Sequence, residues 1–195
     1  DQAAIESNGL NAIAPLLQRI RELKNRREIP SLLAALHIAG VNALFGFGSE
    51  PDLHDAARTN AVIDQGGLGL PDRRAYFQDT RLTTSYEAHV ERMLLLGGVT
   101  VAQGATLARA VVRLEAMLAQ ASLDEASRQD PARIYSPMPR QEAFALAPEF
   151  DFEAYLKAAG APPFETVNIS VPGFVRQINR LLLETGMEAW RAYFA

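Results

Sequence analysis

The feature that most constrains the fold is the stretch from Ile63 to Phe77, Ile-Asp-Gln-Gly-Gly-Leu-Gly-Leu-Pro-Asp-Arg-Arg-Ala-Tyr-Phe. Gly66, Gly67, Gly69 and Pro71 break any regular element, and Leu68 and Leu70 stand between them. Glycine reaches φ > 0, and Pro71 fixes its own φ while holding Leu70 extended. Leu68 and Leu70 can then point into a core, so the stretch reads as a tightly held loop and not a linker. Asp64, Gln65, Asp72 and Arg73 are expected to bond back to its backbone. Taken alone, the same residues would also suit an ordinary buried crossover between two subregions.

Around that loop the chain reads as mainly α. Asn11 to Lys24 places Ile13, Leu16, Leu17, Ile20 and Leu23 at helical spacing, with Pro15 in the first turn. Ser31 is expected to cap a short helix carrying Leu32, Leu33, Leu36 and His37, ended by Gly40. Leu44 to Gly48 is apolar and glycine-rich, and Arg58 to Asp64 alternates, which predicts two short strands in a β-hairpin just before the loop. Thr80 to Leu96 is helical, with Leu82, Tyr86, Val90, Met93 and Leu94 on one face. Gly97-Gly98 then turns the chain into a long helix to Ala121, with Leu107, Val111, Leu114, Leu118 and Ala121 inward. Capping boxes are expected at Thr100/Gln103 and Thr185/Glu188. Ser122 to Pro139 reads as an irregular surface crossing. Beyond it come a short helix from Arg140 to Leu146, a helix capped by Asp151 and ended by Gly160, and a strand over Thr166–Val171. Helices from Pro172 to Glu184 and around Trp190 and Phe194 close the chain. The expected architecture is a multi-helix lobe with a small β-hairpin, one unit over residues 1–195.

Composition narrows the function by exclusion. Nearly half of the 195 residues are apolar, enough for a real core. Charge is mixed with a net −4, which argues against a nucleic-acid surface. The one dense cationic run, Arg19 to Arg27, interleaves with Glu22 and reads as a solvated helix end. There is no cysteine, so no disulfide and no thiolate metal site. No apolar run approaches the ~20 residues of a membrane helix, and no signal peptide is visible. A chain opening on Asp1 is expected to be an internal piece of a longer polypeptide, with any targeting segment upstream.

The residue patterns of catalysis are equally sparse. Zinc hydrolysis needs imidazoles on one helical face, typically as His-Glu-x-x-His. The three histidines, His37, His54 and His89, offer no such pair. His37 is expected to line a core helix and His54 to sit in a loop beside Asp55. The carboxylate pairs Asp52/Asp55, Asp124/Glu125 and Glu149/Asp151 read as turn and cap residues and not as an acid–base pair across a cleft. Gly66-Gly67-Leu68-Gly69 opens into Pro71 and not onto a helix, so it is no dinucleotide loop. No catalytic and no metal-ligating residue is expected in this chain.

The loop nevertheless has a likeness. Asp64-Gln65-Gly66-Gly67-Leu68-Gly69-Leu70-Pro71-Asp72-Arg73 resembles a signature of the N-terminal region of M13 (neprilysin-type) zinc metallopeptidases. Val41-Asn42-Ala43-Leu44-Phe45, Asp52-Leu53-His54-Asp55, Asn168-Ile169-Ser170 with Pro172 and Phe174, and the closing Glu188-Ala189-Trp190-Arg191-Ala192-Tyr193 fit in the same order. One departure follows the Pro-Asp-Arg. The family usually has Asp-Tyr-Tyr where this chain has Arg74, Ala75 and Tyr76, so a second cation stands where an acidic partner for Arg73 would be. The resemblance implies a non-catalytic helical lobe in a two-lobed enzyme. That lobe would cover an active site borne by the C-terminal lobe of the same parent chain and restrict substrates to oligopeptides. It implies zinc in the parent but none in this stretch, and an extracytoplasmic location (periplasmic, secreted or cell-surface). The rival reading is a self-sufficient helical protein-interaction module with no enzymatic parent.

Overall fold

Proline and glycine set the first boundaries. In a computed structural model that describes residues 9–195, Pro15 stands in the first turn of α1 (Ala14–Arg21), where its missing N–H breaks no bond. The helix is shorter than expected. Leu17, Ile20 and Leu23 are buried, whereas Ile13, at its edge, is exposed. A 3-10 turn at Arg26–Glu28 leads into α2 (Ile29–Ile38). This helix starts two residues before the expected Ser31 cap. Pro30 lies in its first turn, and the Ser31 hydroxyl donates to the Glu28 carbonyl and caps nothing. The chain leaves the helix at Gly40, at φ +82°, as expected.

The predicted hairpin forms from β1 (Phe45–Pro51) and β2 (Thr59–Gln65), with Phe45 opposite Gln65 and Pro51 opposite Thr59. It is half of a larger sheet. β3 (Pro137–Pro139) and β4 (Thr166–Ile169) extend it in the order β1-β2-β4-β3, with β2 and β4 parallel and β3 antiparallel to β4. The Ser122–Pro139 segment is therefore not irregular. It holds two one-turn helices capped by Asp124 and Asp130, and then β3. Three residues reading Pro-Met-Pro carry no strand signal in sequence; proline is admitted there because β3 is a sheet edge.

Helices cover the sheet. α3 (Ala75–Gln78) precedes α4 (Thr80–Leu96) and α5 (Val101–Ala121), which pack together across the Gly97-Gly98 turn. Of the expected α4 stripe only Leu94 is buried; Leu82 and Met93 are exposed. α6 (Glu125–Arg128), α7 (Pro131–Ile134) and α8 (Arg140–Phe144) are short, and α9 (Phe152–Ala159) runs from the Asp151 cap to Gly160 in the left-handed conformation. α10 (Pro172–Glu184) and α11 (Met187–Phe194) finish the chain. The main core gathers Phe45, Phe150, Phe152, Tyr155, Phe174, Ile178 and Trp190. Phe45 has its ring 5.2 Å from that of Tyr155 and 5.4 Å from that of Phe150.

Neither expected capping box closes. The Thr100 hydroxyl bonds the Gln103 side chain directly, and Gly186, not Thr185, precedes α11 with no side-chain cap. The side-chain caps on the α-helices are aspartates: Asp79 accepts from the Leu82 N–H and Asp151 from the Ala154 N–H. Accordingly Asp151→Ala should lower stability by about 1 kcal/mol, whereas Thr100→Ala should stay within about 0.5 kcal/mol. Urea unfolding of the two variants checks this, and equal losses would contradict the capping assignment.

Candidate functional site at the 64–73 loop

The loop leaves β2 through side chains that reach across the fold. Gln65 pairs with the backbone of Leu123 at both ends of its amide: Nε2 donates to the carbonyl at 3.0 Å, and Oε1 accepts from the N–H at 2.7 Å. Asp64 accepts from the Gln65 N–H and pairs with Arg128 at 2.7 Å. Arg73 reaches the last turn of α5, donating to the carbonyls of Ala119 at 2.7 Å and Gln120 at 3.2 Å. A cation on the carbonyls of a helix C-terminus also meets the negative end of the macrodipole. Asp72 pairs with Arg74 at 2.9 Å. The substituted cation at 74 thus takes Asp72, and Arg73 is held by carbonyls and not by an acid. Of the four residues expected to bond the loop's own backbone, Asp64 and Asp72 do so locally, and Gln65 and Arg73 bind α5 and the segment after it.

The glycines allow a close approach that no other residue permits. Gly67 sits at φ +72°, and a Cβ there would run into the backbone N and Cα of Leu44 and the hydroxyl of Tyr193. That hydroxyl accepts from the Leu44 N–H at 2.8 Å and donates to the Gly67 carbonyl at 2.8 Å. A Cβ at Gly69 would meet the Tyr86 ring and hydroxyl. Leu70 is buried as expected and Leu68 is half-buried. Beside the loop lies a polar depression of about 250 Å³, bordered by Asn42, Gln65, Asp72, Arg73, Asp124 and Arg128.

Beneath the loop α5 presents a buried carboxylate. Glu115 is only 4% exposed. One oxygen accepts from the Tyr76 hydroxyl at 2.6 Å and the Gly69 N–H at 3.3 Å, and the other accepts from the Tyr86 hydroxyl at 2.9 Å. Burial pushes its pKa above the ordinary 4.5, opposed by the two hydroxyls and the amide. Burial, with the Glu115 charge, pushes both tyrosines up as well. Gly69 belongs to the loop picked out in the sequence, but Glu115, Tyr76 and Tyr86 were not singled out as site residues. The available signal was Glu115 itself, four residues after Val111 and three before Leu118 on the inward stripe.

The remaining titratable groups do not converge. His37 Nε2 donates to the Ala43 carbonyl at 2.9 Å, so Nδ1 accepts from the Tyr155 hydroxyl at 2.7 Å, and burial lowers its pKa. Both ring nitrogens are used. His54 lies in the hairpin turn with its ring 4.8 Å from that of Tyr135, and His89 is exposed on α4. Asp52 accepts from the N–H groups of His54 and Asp55, the turn role expected of it, and with Asn60 and Tyr135 these bonds hold its pKa down at about 2. Among the described residues no three His, Asp or Glu side chains are placed to hold a metal ion.

The fold and the loop can now be set against known proteins. The family model for the N-terminal part of peptidase family M13 matches residues 1–195. The chain belongs to peptidase family M13. The zinc metalloprotease ZMP1 of Mycobacterium tuberculosis, solved with an inhibitor, superposes at a TM-score of 0.91 with 25% identity, over 99% of this M13 chain and 30% of that one. Neprilysin-3 of Drosophila melanogaster is 24% identical over 153 residues, covering 73% of this chain and 20% of its own length. Endothelin-converting enzyme-like 1 of Rattus norvegicus is 27% identical over 164 residues, covering 79% and 21%. The M13 chain described here therefore spans about a fifth of these two relatives and under a third of ZMP1.

The geometry sets three expectations. Gly67→Ala should cost more than about 2 kcal/mol, because positive φ and a backbone collision coincide. Gly69→Val should cost more than about 1 kcal/mol, since Tyr86 must leave Glu115. Thermal melts of both variants check this; unchanged midpoints would remove the argument for a held loop. Glu115 carries a pH signature. The unfolded chain releases this proton near 4.5 and the folded chain at higher pH. Between those values the folded state holds the extra proton, so stability falls as pH rises through the window. The stability difference between the natural chain and Glu115→Gln should shrink from pH 4.5 upward and level off above the folded value. A difference independent of pH, in urea melts at several pH values, would contradict the buried-carboxyl account.

Proposed function

We propose that residues 1–195 form a single helical lobe of an M13 zinc metalloendopeptidase, a lobe that does no chemistry itself. It covers the cavity of an active site carried by the C-terminal lobe of the same parent chain, and so limits substrates to oligopeptides. The observation that carries this reading is the match of the whole chain to the M13 model and to less than a third of the ZMP1 chain. The site geometry agrees in kind. The 64–73 loop spends its polar side chains on α5, the segment after it and its own turns, and its Gly67 carbonyl on Tyr193 of α11, so none is left poised as nucleophile or base.

Zinc is the family's implied metal, and the residues of this chain do not fit it. A catalytic zinc takes about three protein ligands and leaves one position for water. His37 is spent on Ala43 and Tyr155, and His54 and His89 lie in different elements. No zinc step runs through these residues; the metal belongs to the parent's other lobe. The extracytoplasmic location proposed for the parent rests on the family alone. Among the described residues no helix is long and apolar enough to cross a membrane. The rival interaction module has no observation in its favour.

The test compares the parent polypeptide with the 195-residue chain on a quenched peptide library and on a folded protein substrate, with and without chelator. The parent should cleave short peptides in a chelator-sensitive way and spare the folded protein. The 195-residue chain should cleave neither and bind no stoichiometric zinc by calorimetry. Chelator-sensitive cleavage by the chain alone, or zinc binding lost on substituting His37, His54 or His89, would overturn the reading.

A further inference from the structure

The two edges of the sheet are treated differently. β3 closes one edge with Pro137 and Pro139, which offer no N–H to an incoming strand. β1 closes the other with Phe-Gly-Phe-Gly-Ser-Glu before Pro51. It has no lysine, no arginine and no bulge, since its register with β2 is continuous from Phe45 to Pro51. Gly48, Ser49 and Glu50 are exposed, and the space over Gly48 is open.

The direction of each edge group follows from the ladder. The Asp52 N–H donates to the Arg58 carbonyl at 2.9 Å. Antiparallel pairs alternate every second residue, so Glu50, Gly48 and Gly46 turn their main-chain groups to β2. On β2 the same alternation turns Ile63 the other way, and its carbonyl indeed accepts from Ser170 beyond β4 at 3.0 Å. Phe47 and Ser49 therefore present N–H and C=O outward, and among the described residues nothing bonds them. A donor–acceptor row at this repeat is met in full only by another extended backbone.

A groove opens beside that row. Phe47, Ser49, Thr59 and Ala61 share one face of the hairpin, and Pro162, Pro163 and Phe164 form the opposite wall. The Phe47 and Phe164 rings lie 6.2 Å apart, and the space is about 480 Å³, within the range of sites that hold apolar groups. Glu50, next to Ser49 on a strand with no bulge, turns to the opposite face, so the side chains of the groove wall on the β1 side are those of Phe47 and Ser49 alone. Arg140, over the Phe164 ring, pairs with Glu153 at 2.6 Å.

We propose that the outer edge of β1 docks an extended oligopeptide, which adds to the sheet beside Phe47 and Ser49 and sets an apolar side chain between Phe47 and Phe164. The choice of a peptide as occupant rests on the peptidase reading above. The backbone row supplies affinity for any extended chain, and the apolar groove selects among them.

The probe is an acetylated hexapeptide alternating threonine with phenylalanine and one arginine, added to the 195-residue chain. Amide exchange by NMR should slow at Phe47 and Ser49 and stay unchanged at Gly46 and Gly48, which already bond β2. Ser49→Pro removes one outward donor without touching the ladder and should weaken binding about tenfold, while Ser49→Ala should not. The same peptide N-methylated on alternate residues gives the equivalent test on the unsubstituted protein, and should not bind. The proposal falls if Phe47 and Ser49 gain no protection, if Ser49→Pro and the N-methylated peptide bind as before, or if protection appears without peptide and grows with protein concentration, which would mark pairing between copies. In the parent, Ser49→Pro should raise KM for the same peptide. A parent that cleaves no peptide at all defeats the peptidase reading; a parent that cleaves while the edge stays unprotected defeats only this proposal.

Discussion

Gly67 and Leu44 lie back to back, both at positive φ, and one hydroxyl holds them there. Leu44 at φ 60° is in a region that strains a leucine by roughly 1–3 kcal/mol. It persists because its side chain is fully buried and its N–H ends on Tyr193. The contact requires the absence of a Cβ at 67. It also requires the last helix, since Tyr193 lies on α11. The start of β1, the end of β2 and the end of the chain are fixed by a single bridging oxygen. The native positions of these three segments are therefore mutually dependent.

Glu115 extends the same dependence inward. A carboxylate this buried is costly unless its oxygens are bonded. Here the partners are hydroxyls and an amide, not a cation. The arrangement contributes geometry more than energy: it sets α3 and α4, through Tyr76 and Tyr86, at fixed positions over the middle of α5. Both oxygens are consumed, which removes Glu115 from any role as a general base toward a bound molecule.

The elements legible in the sequence were those governed by local chemistry. Pro172 and Gly160 marked boundaries that the structure keeps, and the alternation before the loop gave the hairpin. The misses share a cause. Whether Thr100 caps a helix depends on a rotamer choice between a backbone N–H and the Gln103 side chain, and short-range pattern cannot decide it. β4 forms where a strand was expected, but its pairing with β2 about a hundred residues upstream was not legible, and β3, flanked by prolines, is a strand by virtue of its partner and not of propensity. The loop was visible because glycine and proline advertise themselves. The tyrosines that hold it were not, because Tyr76, Tyr86 and Tyr193 come from three helices that only tertiary folding brings together.

The charges show the same long-range logic. The cationic run that reads as a solvated helix end is in part structural: Arg19 donates to the carbonyl of Ser31, Arg21 to that of Gly97 and Arg26 to that of Leu183. Arg191 reaches the Leu23 carbonyl, and Arg73 those of Ala119 and Gln120. Most of these carbonyls lie at or just past the ends of helices, where backbone acceptors lack intrahelical partners. Ion pairs, by contrast, sit on partly or fully exposed side chains and contribute little. A guanidinium suits this work better than an ammonium, because its planar fork can serve two acceptors at once and is more weakly hydrated. The composition follows: Lys24 and Lys157 are the only lysines, and every cation that ties distant segments through a carbonyl is an arginine. Net charge says little about this chain; the choice of cation says how its helix ends are held.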